Sequence, residues 1–257
     1  MEFLSVKKEN YIATITFNRP PANALASAVL KELSNVLADI EQDETVRVII
    51  LHGEGRFFSA GADIKEFTTV ESAEQFSKLA AIGQEVFEKM ESFPKPIIAA
   101  IHGAALGGGL ELAMACHIRI ATKQAKLGLP ELQLGLVPGF AGTQRLPRFV
   151  GEAKALEMLL TSDPITGEEA ARYGLVNQVV EEEELMNVAF QFARKVAQKS
   201  PVSVKAAIQL VFHNKNGSFI EGVEKEAQLF GEVFMSEDAK EGIQAFIEKR
   251  KPTFKGQ

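Results

Sequence analysis

The residues with the clearest chemical potential lie in the stretch His102-Gly103-Ala104-Ala105-Leu106-Gly107-Gly108-Gly109-Leu110-Glu111. Three consecutive glycines remove the side chains that would hold a ligand away from the backbone. The apolar run 110–116 that follows reads as a helix. A helix starting there aims free N–H groups at whatever sits above the glycines. Glu111 then falls in the first helical turn. The pattern points to a backbone anion hole with an acid/base beside it; the alternative is a tight turn feeding a buried helix, with Glu111 in a salt bridge.

A second carboxylate stands out by isolation. Glu131 is the one ionisable residue between Lys126 and Arg145, in a stretch dominated by Gly, Pro and Leu. A lone carboxylate among apolar residues either has a partner, here Arg145 or Arg148, or has a raised pKa. A third element is Phe57-Phe58-Ser59-Ala60-Gly61-Ala62-Asp63-Ile64-Lys65. Its small residues, just after an apolar strand, allow close backbone approach by a ligand; an ordinary surface turn is the alternative.

Other chemistries fit poorly. There is no G-x-S-x-G nucleophile elbow, no Walker A loop and no H-E-x-x-H. The four histidines, His52, His102, His117 and His213, are scattered, and no metal site is expected. Paired carboxylates also serve glycosidases, but there is no Trp and there are two Tyr to stack on a sugar. Cys116 sits in an apolar run, which raises a thiol's pKa and disfavours it as a nucleophile. As the single cysteine it permits no disulfide within the chain.

The elements that position these groups follow from periodicity. Residues 11–17 alternate and are rich in β-branched and aromatic side chains, a strand. Asn23 is placed to cap a helix over 24–40, with Leu25, Val29, Leu33, Val36, Leu37 and Ile40 as its stripe. Residues 46–51 and 97–101 are short apolar strands of the kind covered on both faces. A helix is expected over 71–91, ended by Pro94 and Pro96. Residues 118–121 form a further strand. Residues 127–148 show few signs of regular structure, and a loop that long is usually functional. Thr166-Gly167-Glu168-Glu169 is a capping box. A strand over 175–180 precedes a nearly all-helical tail: 181–199, a helix opened by Ser200-Pro201, 220–234 and 238–250. The roughly fifty-residue recurrence of strands and helices suggests stacked β/α turns, and a doubly wound sheet gives a similar string. The tail helices are amphipathic and rich in Phe, as suits packing on a partner subunit or capping their own domain.

The bulk numbers set bounds. The chain has 257 residues, 46% hydrophobic and 24% charged, with a net charge of −6. That balance argues against a general nucleic-acid binder. The N-terminus carries an acid at once and no apolar core of a leader, and the apolar runs are far short of a membrane span. A soluble cytoplasmic protein with no membrane association is expected.

Taken together, FSAGADIKEF (58–67), KPIIAAIHGAALGGGLELAMAC (95–116) and LGLPELQLGLVPGFAGTQRLPR (127–148) resemble the crotonase, or enoyl-CoA hydratase/isomerase, superfamily. The tail FIEKRKPTF (246–254) resembles that family's C-terminus. The resemblance covers essentially the whole chain. It implies an α/β spiral of ββα turns over 1–199, carrying the catalytic core, and a helical trimerisation region over 200–257. It implies an acyl-CoA thioester substrate, no separate cofactor, and a homo-oligomer, a trimer or dimer of trimers. The backbone N–H groups of Ala62 and Gly108 would form an oxyanion hole for the thioester oxygen. Glu111 and Glu131 would be the two catalytic carboxylates, Glu111 mainly for the water and Glu131 mainly for the C2 proton. Ala60, Asp63, Ile64, Lys65 and Gly139 would line the substrate path, and Phe246 and Lys249 would reach a CoA in a neighbouring subunit.

Both glutamates favour a hydratase over relatives that isomerise, dehalogenate or decarboxylate. The resemblance leaves two rivals: a methylglutaconyl-type hydratase or isomerase, and a non-catalytic RNA-binding relative. Two departures from the pattern are visible. Phe140-Ala141-Gly142 stands where small residues and a double glycine are common, and Phe140 would narrow the acyl pocket. His117 stands where Asp is common.

Overall fold

A computed structural model describes residues 1–68, 71–215 and 217–257. The chain opens with a hairpin of β1 (Leu4–Glu9) and β2 (Ile12–Phe17). Asn10 and Tyr11 both take positive φ at its tip, as a tight two-residue hairpin requires. Then follow α1 (Ser27–Gln42), β3 (Val48–Gly53), the short α2 (Ile64–Phe67) and α3 (Ala73–Glu91). The centre of the chain holds β4 (Ile97–Ile101), β5 (Ala104–Leu106), α4 (Gly108–Ala115), β6 (Ile118–Thr122) and β7 (Lys126–Gly128). A 3-10 turn (Glu131–Leu134) leads to α5 (Gly142–Val150), α6 (Glu152–Thr161), β8 (Ile165–Thr166), α7 (Gly167–Arg172) and β9 (Gln178–Val180). The tail is α8 (Leu185–Ala197), α9 (Pro201–His213), α10 (Phe219–Phe234) and α11 (Glu237–Ile247).

The strands form a six-stranded sheet, β1-β2-β3-β4-β6-β9, and a three-stranded sheet, β5-β7-β8. β4 neighbours β6 in the first just as β5 neighbours β7 in the second, both pairs parallel. Successive turns of chain therefore stack with one strand in each sheet. That is the α/β crotonase-like spiral, and it settles the choice against a doubly wound single sheet.

Alternation along the buried strands serves two cores. Ile49, Leu51, Ile97, Ala99 and Ile101 face the main core with Leu33 of α1, Phe87 of α3 and all of buried α4. Ile50, Ile98, Ala100 and Ile120 face the other side, where α8 lays down Leu185, Ala189, Ala193 and Ala197. That four-residue spacing is one stripe of a helix. The apolar strand runs thus sit in a sheet covered on both faces, which fixes the ends of β3 and β4 where the site is built.

Several expectations are corrected. Asn23 does not cap α1. It takes φ +51°, and its side-chain amide donates to the carbonyls of Glu54 and Phe57, tying the loop after β3 to the loop after β2. α1 starts at Ser27 instead, and Leu25 bridges to Ala62. The segment 127–148 is largely regular, holding β7, the 3-10 turn and most of α5; glycines and Pro147 inside α5 masked the helical pattern. Strand β9 starts at Gln178, not 175, and the helix expected over 181–199 begins at Leu185 after a 3-10 turn. β1, an edge strand with exposed Lys7, Lys8 and Glu9, has too little alternation to be read from sequence. The caps at Thr166 and Ser200 stand where the sequence places them.

Candidate active site

Two backbone segments meet at the centre of the site. In the loop after β3, Ser59 is fully buried and its hydroxyl donates to the Asn23 carbonyl. Ala60 N–H donates to Ala22, Leu25 N–H to Gly61, and Asp63 N–H to Leu25. These bonds hold the loop flat and leave Ala62 N–H free of any acceptor among the described residues. Facing it, Gly107 turns the chain at φ +50°, and its carbonyl accepts from Leu110 and Glu111. Gly108 N–H, at the first position of α4, has no acceptor among the described residues either. A methyl placed on Gly108 would stand 3.2 Å from Ala62 N, so the two free donors converge. One placed on Gly109 would lie 2.2 Å from the Ser59 carbonyl oxygen, which is why no side chain is tolerated there.

Glu111, in the first turn of α4, is 1% exposed. Its Oε1 accepts from Phe140 N–H at 2.8 Å and Gly142 N–H at 2.7 Å. Burial pushes its pKa up to about 7, and the charge of Glu131 adds to that; the two N–H bonds and Arg145 work the other way. Glu131 starts the 3-10 turn and lines the same pocket. A methyl on Gly107 would stand 2.9 Å from its Oε1. Its Oε2 is buried and has no hydrogen-bond partner among the described residues. Burial raises its pKa too, against a backbone hydrogen bond that favours the charge. Neither carboxylate is in a salt bridge among the described residues, because Arg145 is engaged by Glu91 at 2.8 Å. The salt-bridge alternatives open at the sequence level are therefore not realised.

Both carboxylates and both free donors line one apolar pocket, with Ala60, Ile64 and Gly139 and with Phe76, Leu79 and Ala80 of α3. Phe140 closes one wall. Its ring stands between α3 and α4 against two glycines: a methyl on Gly83 would come within 2.4 Å of it and one on Gly108 within 3.2 Å. Behind it the Phe87 ring lies edge-on, centroids 5.4 Å apart.

Not every residue named from sequence reaches this pocket. Asp63 caps α2 and pairs with Arg19 at 2.5 Å, which holds its carboxyl below the usual range. Lys65 is exposed outside the pocket. Phe246 on α11 is 85% exposed, and neither it nor the exposed Lys249 lines the pocket of its own chain. His117 is outside as well, its Nδ1 accepting from Ile97 N–H at 2.9 Å, and burial pushes its pKa down to about 4. Burial pushes the Cys116 thiol up to about 12, consistent with an inert core residue. Sequence reasoning missed the donors to Glu111. The turn at 139–142 carries no motif for that task; the one hint was its run of small residues around Phe140.

Among the described residues no group of three or more His, Cys, Asp or Glu is placed to hold a metal ion. Among them, too, no helix is long and apolar enough to cross a membrane.

A spiral α/β fold that aims two N–H groups, free among the described residues, into an apolar pocket is that of the crotonase-like class of enzymes. The family model for enoyl-CoA hydratase/isomerase matches residues 7–257. The chain is 58% identical, over the full length of both proteins, to a probable enoyl-CoA hydratase of Bacillus subtilis. It is 46% identical to a short-chain-enoyl-CoA hydratase of Clostridium acetobutylicum, covering 96% of this chain and 95% of that one. The crystal structure of an enoyl-CoA hydratase from Bacillus anthracis superposes with a TM-score of 0.94 at 40% identity, covering 99% of this chain and all of the other. The chain belongs to the enoyl-CoA hydratase/isomerase family.

Proposed function

We propose that this enzyme adds water across the C2–C3 double bond of a trans-2-enoyl-CoA, giving the 3-hydroxyacyl-CoA, with Glu111 and Glu131 sharing the proton work. The observation that carries this reading is a buried and a half-buried carboxylate beside two converging N–H groups that have no acceptor among the described residues. Attack of water at C3 moves an electron pair from the double bond through the thioester carbonyl. The resulting enolate oxygen is negative, and the N–H groups of Ala62 and Gly108 receive it. A preorganised donor of this kind is worth about 3 kcal/mol of barrier.

The two carboxylates then divide one proton. Two like charges in one apolar pocket disfavour double ionisation, so the reacting state is the one in which the pair carries a single proton. Charged Glu111 takes a proton from the attacking water, and protonated Glu131 gives its proton to C2. The pair ends with one proton, as it began. Glu111 suits the water because two N–H groups stabilise its anion on one oxygen and leave the other for the water. Glu131 suits the donor role because its buried Oε2 has no partner among the described residues, and one backbone hydrogen bond favours its charge where Glu111 has two.

Ala60, Asp63, Ile64, Lys65 and Gly139 lie along the path of the CoA arm in this reading, with Phe246 and Lys249 completing it from a neighbouring subunit. The working unit is a trimer or dimer of trimers in the cytoplasm, built through residues 200–257. Supporting that assembly, α10 and α11 expose Phe219, Phe230, Phe234 and Phe246, each more than half accessible in the single chain. Gel filtration of Phe230→Glu should give smaller species; an unchanged oligomer would refute this face.

The activity itself is tested by mixing the protein with crotonyl-CoA and following loss of the enoyl-thioester absorbance. Turnover is expected. No turnover with any chain length sinks the hydratase reading.

A further inference from the structure

The turn that holds Glu111 is itself held, and the chain of contacts leads away from the pocket. Arg145 of α5 is 4% exposed. One of its terminal nitrogens donates to the Phe140 carbonyl at 2.5 Å, and the other to Glu91 Oε2 at 2.8 Å. Its Nε is buried without a partner among the described residues. Among the described residues two hydrogen bonds fix the guanidinium, with the Phe87 ring 6.0 Å away. Glu91 is the last residue of α3, and its Oε2 also accepts from Lys215 Nζ at 2.7 Å. Lys215 lies just beyond α9. A single carboxylate oxygen therefore joins α3, α5 and the C-terminal helices, segments 54 and 124 residues away from it in sequence.

Resting on the hydratase reading, we propose that Glu91 is a positioning residue for Glu111: by anchoring Arg145 against Lys215 it fixes the turn 139–142, whose N–H groups aim Glu111 at the water. Phe140 is the hinge of this linkage. Its carbonyl is gripped by Arg145 while its N–H grips Glu111. The Phe140 carbonyl and N–H flank one Cα and are separated only by φ and ψ, so gripping the carbonyl restricts where the N–H can point. Without Glu91 the guanidinium keeps one hydrogen bond and can swing, and the donors to Glu111 lose their fixed aim. The linkage also ties the reacting carboxylate to the helical tail through Lys215, so disturbance of α9 is felt at Glu111.

The charged groups facing Glu111 are Glu131 from the 3-10 turn and Arg145 from α5; Glu91 and Lys215 act at one remove. This makes the direction of a pH effect diagnostic. Deleting the Glu91 charge would by itself draw the Glu111 pKa down, since it removes a nearby anion. Loss of the N–H bonds and displacement of Arg145 push it up.

The test is Glu91→Gln in the intact protein. An infrared titration reads the protonated-carboxyl band of Glu111, assigned by its absence in Glu111→Gln. The midpoint should rise by about half a pH unit or more. With crotonyl-CoA, kcat at pH 7 should fall about tenfold with KM within about twofold, and recover partly at pH 9. A midpoint that stays or falls, or a lowered Tm with unchanged kcat, overturns the proposal. If Glu91→Gln does not fold, Lys215→Met carries the test: reduced kcat and an upward midpoint support it, and wild-type values for both overturn it. Lys215→Met added to Glu91→Gln should cost no further activity. Wild-type protein that hydrates no enoyl-CoA defeats the hydratase reading instead, while the infrared midpoint still reads the role of Glu91.

Discussion

The two carboxylates of the site are held in opposite ways. Glu111 stands on α4, a helix buried at every position, and two N–H groups grip one of its oxygens. Glu131 stands on a four-residue 3-10 turn with no buried residue, and one of its oxygens meets no donor among the described residues. The lesson is a division of labour between a fixed group and a yielding one. A base that must meet a water at one angle gains from rigidity. An acid that must follow a carbon as it changes from planar to tetrahedral gains from freedom.

The largest effect expected from this contrast is on stability. Glu111 has an ordinary value near 4.5 and a folded value of about 7. Below the ordinary value it is neutral in both states and costs nothing. Between pH 4.5 and 7 the unfolded chain gives up the proton while the folded one keeps it, and by the time pH has risen through 7 on the order of 3 kcal/mol of stability is lost. Glu111→Gln should therefore raise Tm at pH 8 and leave it nearly unchanged at pH 4.5, measured by thermal scans at both. Glu131→Gln should show the same sign with a smaller gain. Equal gains at both pH values would break the comparison.

Next in size is Gly142→Ala. Its methyl would stand 2.8 Å from Glu111 Oε1, and a carboxylate so tightly held has nowhere to go. A loss of about thirtyfold in kcat for crotonyl-CoA is expected. Phe140→Ala removes the ring between α3 and α4. It should raise kcat/KM for an eight-carbon enoyl-CoA, relative to crotonyl-CoA, by about tenfold. An unchanged ratio would show that the ring does not limit the acyl chain. The smallest effect belongs to the yielding side. Gly135, at the end of the 3-10 turn, takes φ +70° with nothing within 4 Å of an added methyl. Gly135→Ala should cost about 1 kcal/mol of stability through backbone strain alone. A thirtyfold loss of kcat there would show that Glu131 is as rigidly positioned as Glu111.

What was legible in sequence was mostly local. The glycine run followed by an apolar helix announces α4 and its free N–H groups, because a helix start is decided by a few adjacent residues. Glu131 was legible through its isolation among Gly, Pro and Leu. The two-sided sheet was legible from the apolar strands 46–51 and 97–101. The parts that escaped depend on partners far apart. The donors from Phe140 and Gly142 lie 29 and 31 residues beyond Glu111. The Glu91–Lys215 contact spans 124 residues, and no pattern within either segment foretells it. Asn23 misled for a related reason. An Asn before an apolar helical stripe is a good cap by local rules, yet its amide is taken by carbonyls 31 and 34 residues away.

The central claim is that Glu111 and Glu131 both handle protons in one hydration step. The most direct measurement is kcat for crotonyl-CoA across pH for the wild type, Glu111→Gln and Glu131→Gln, each shown to be folded. The wild-type rate should fall as pH drops below about 7 and Glu111 takes up a proton. Glu111→Gln should lose about a hundredfold or more and show no such fall; Glu131→Gln should lose as much but keep the fall, moved to lower pH because its neighbour's charge is gone. Near wild-type rates in both folded variants would contradict the two-carboxylate account.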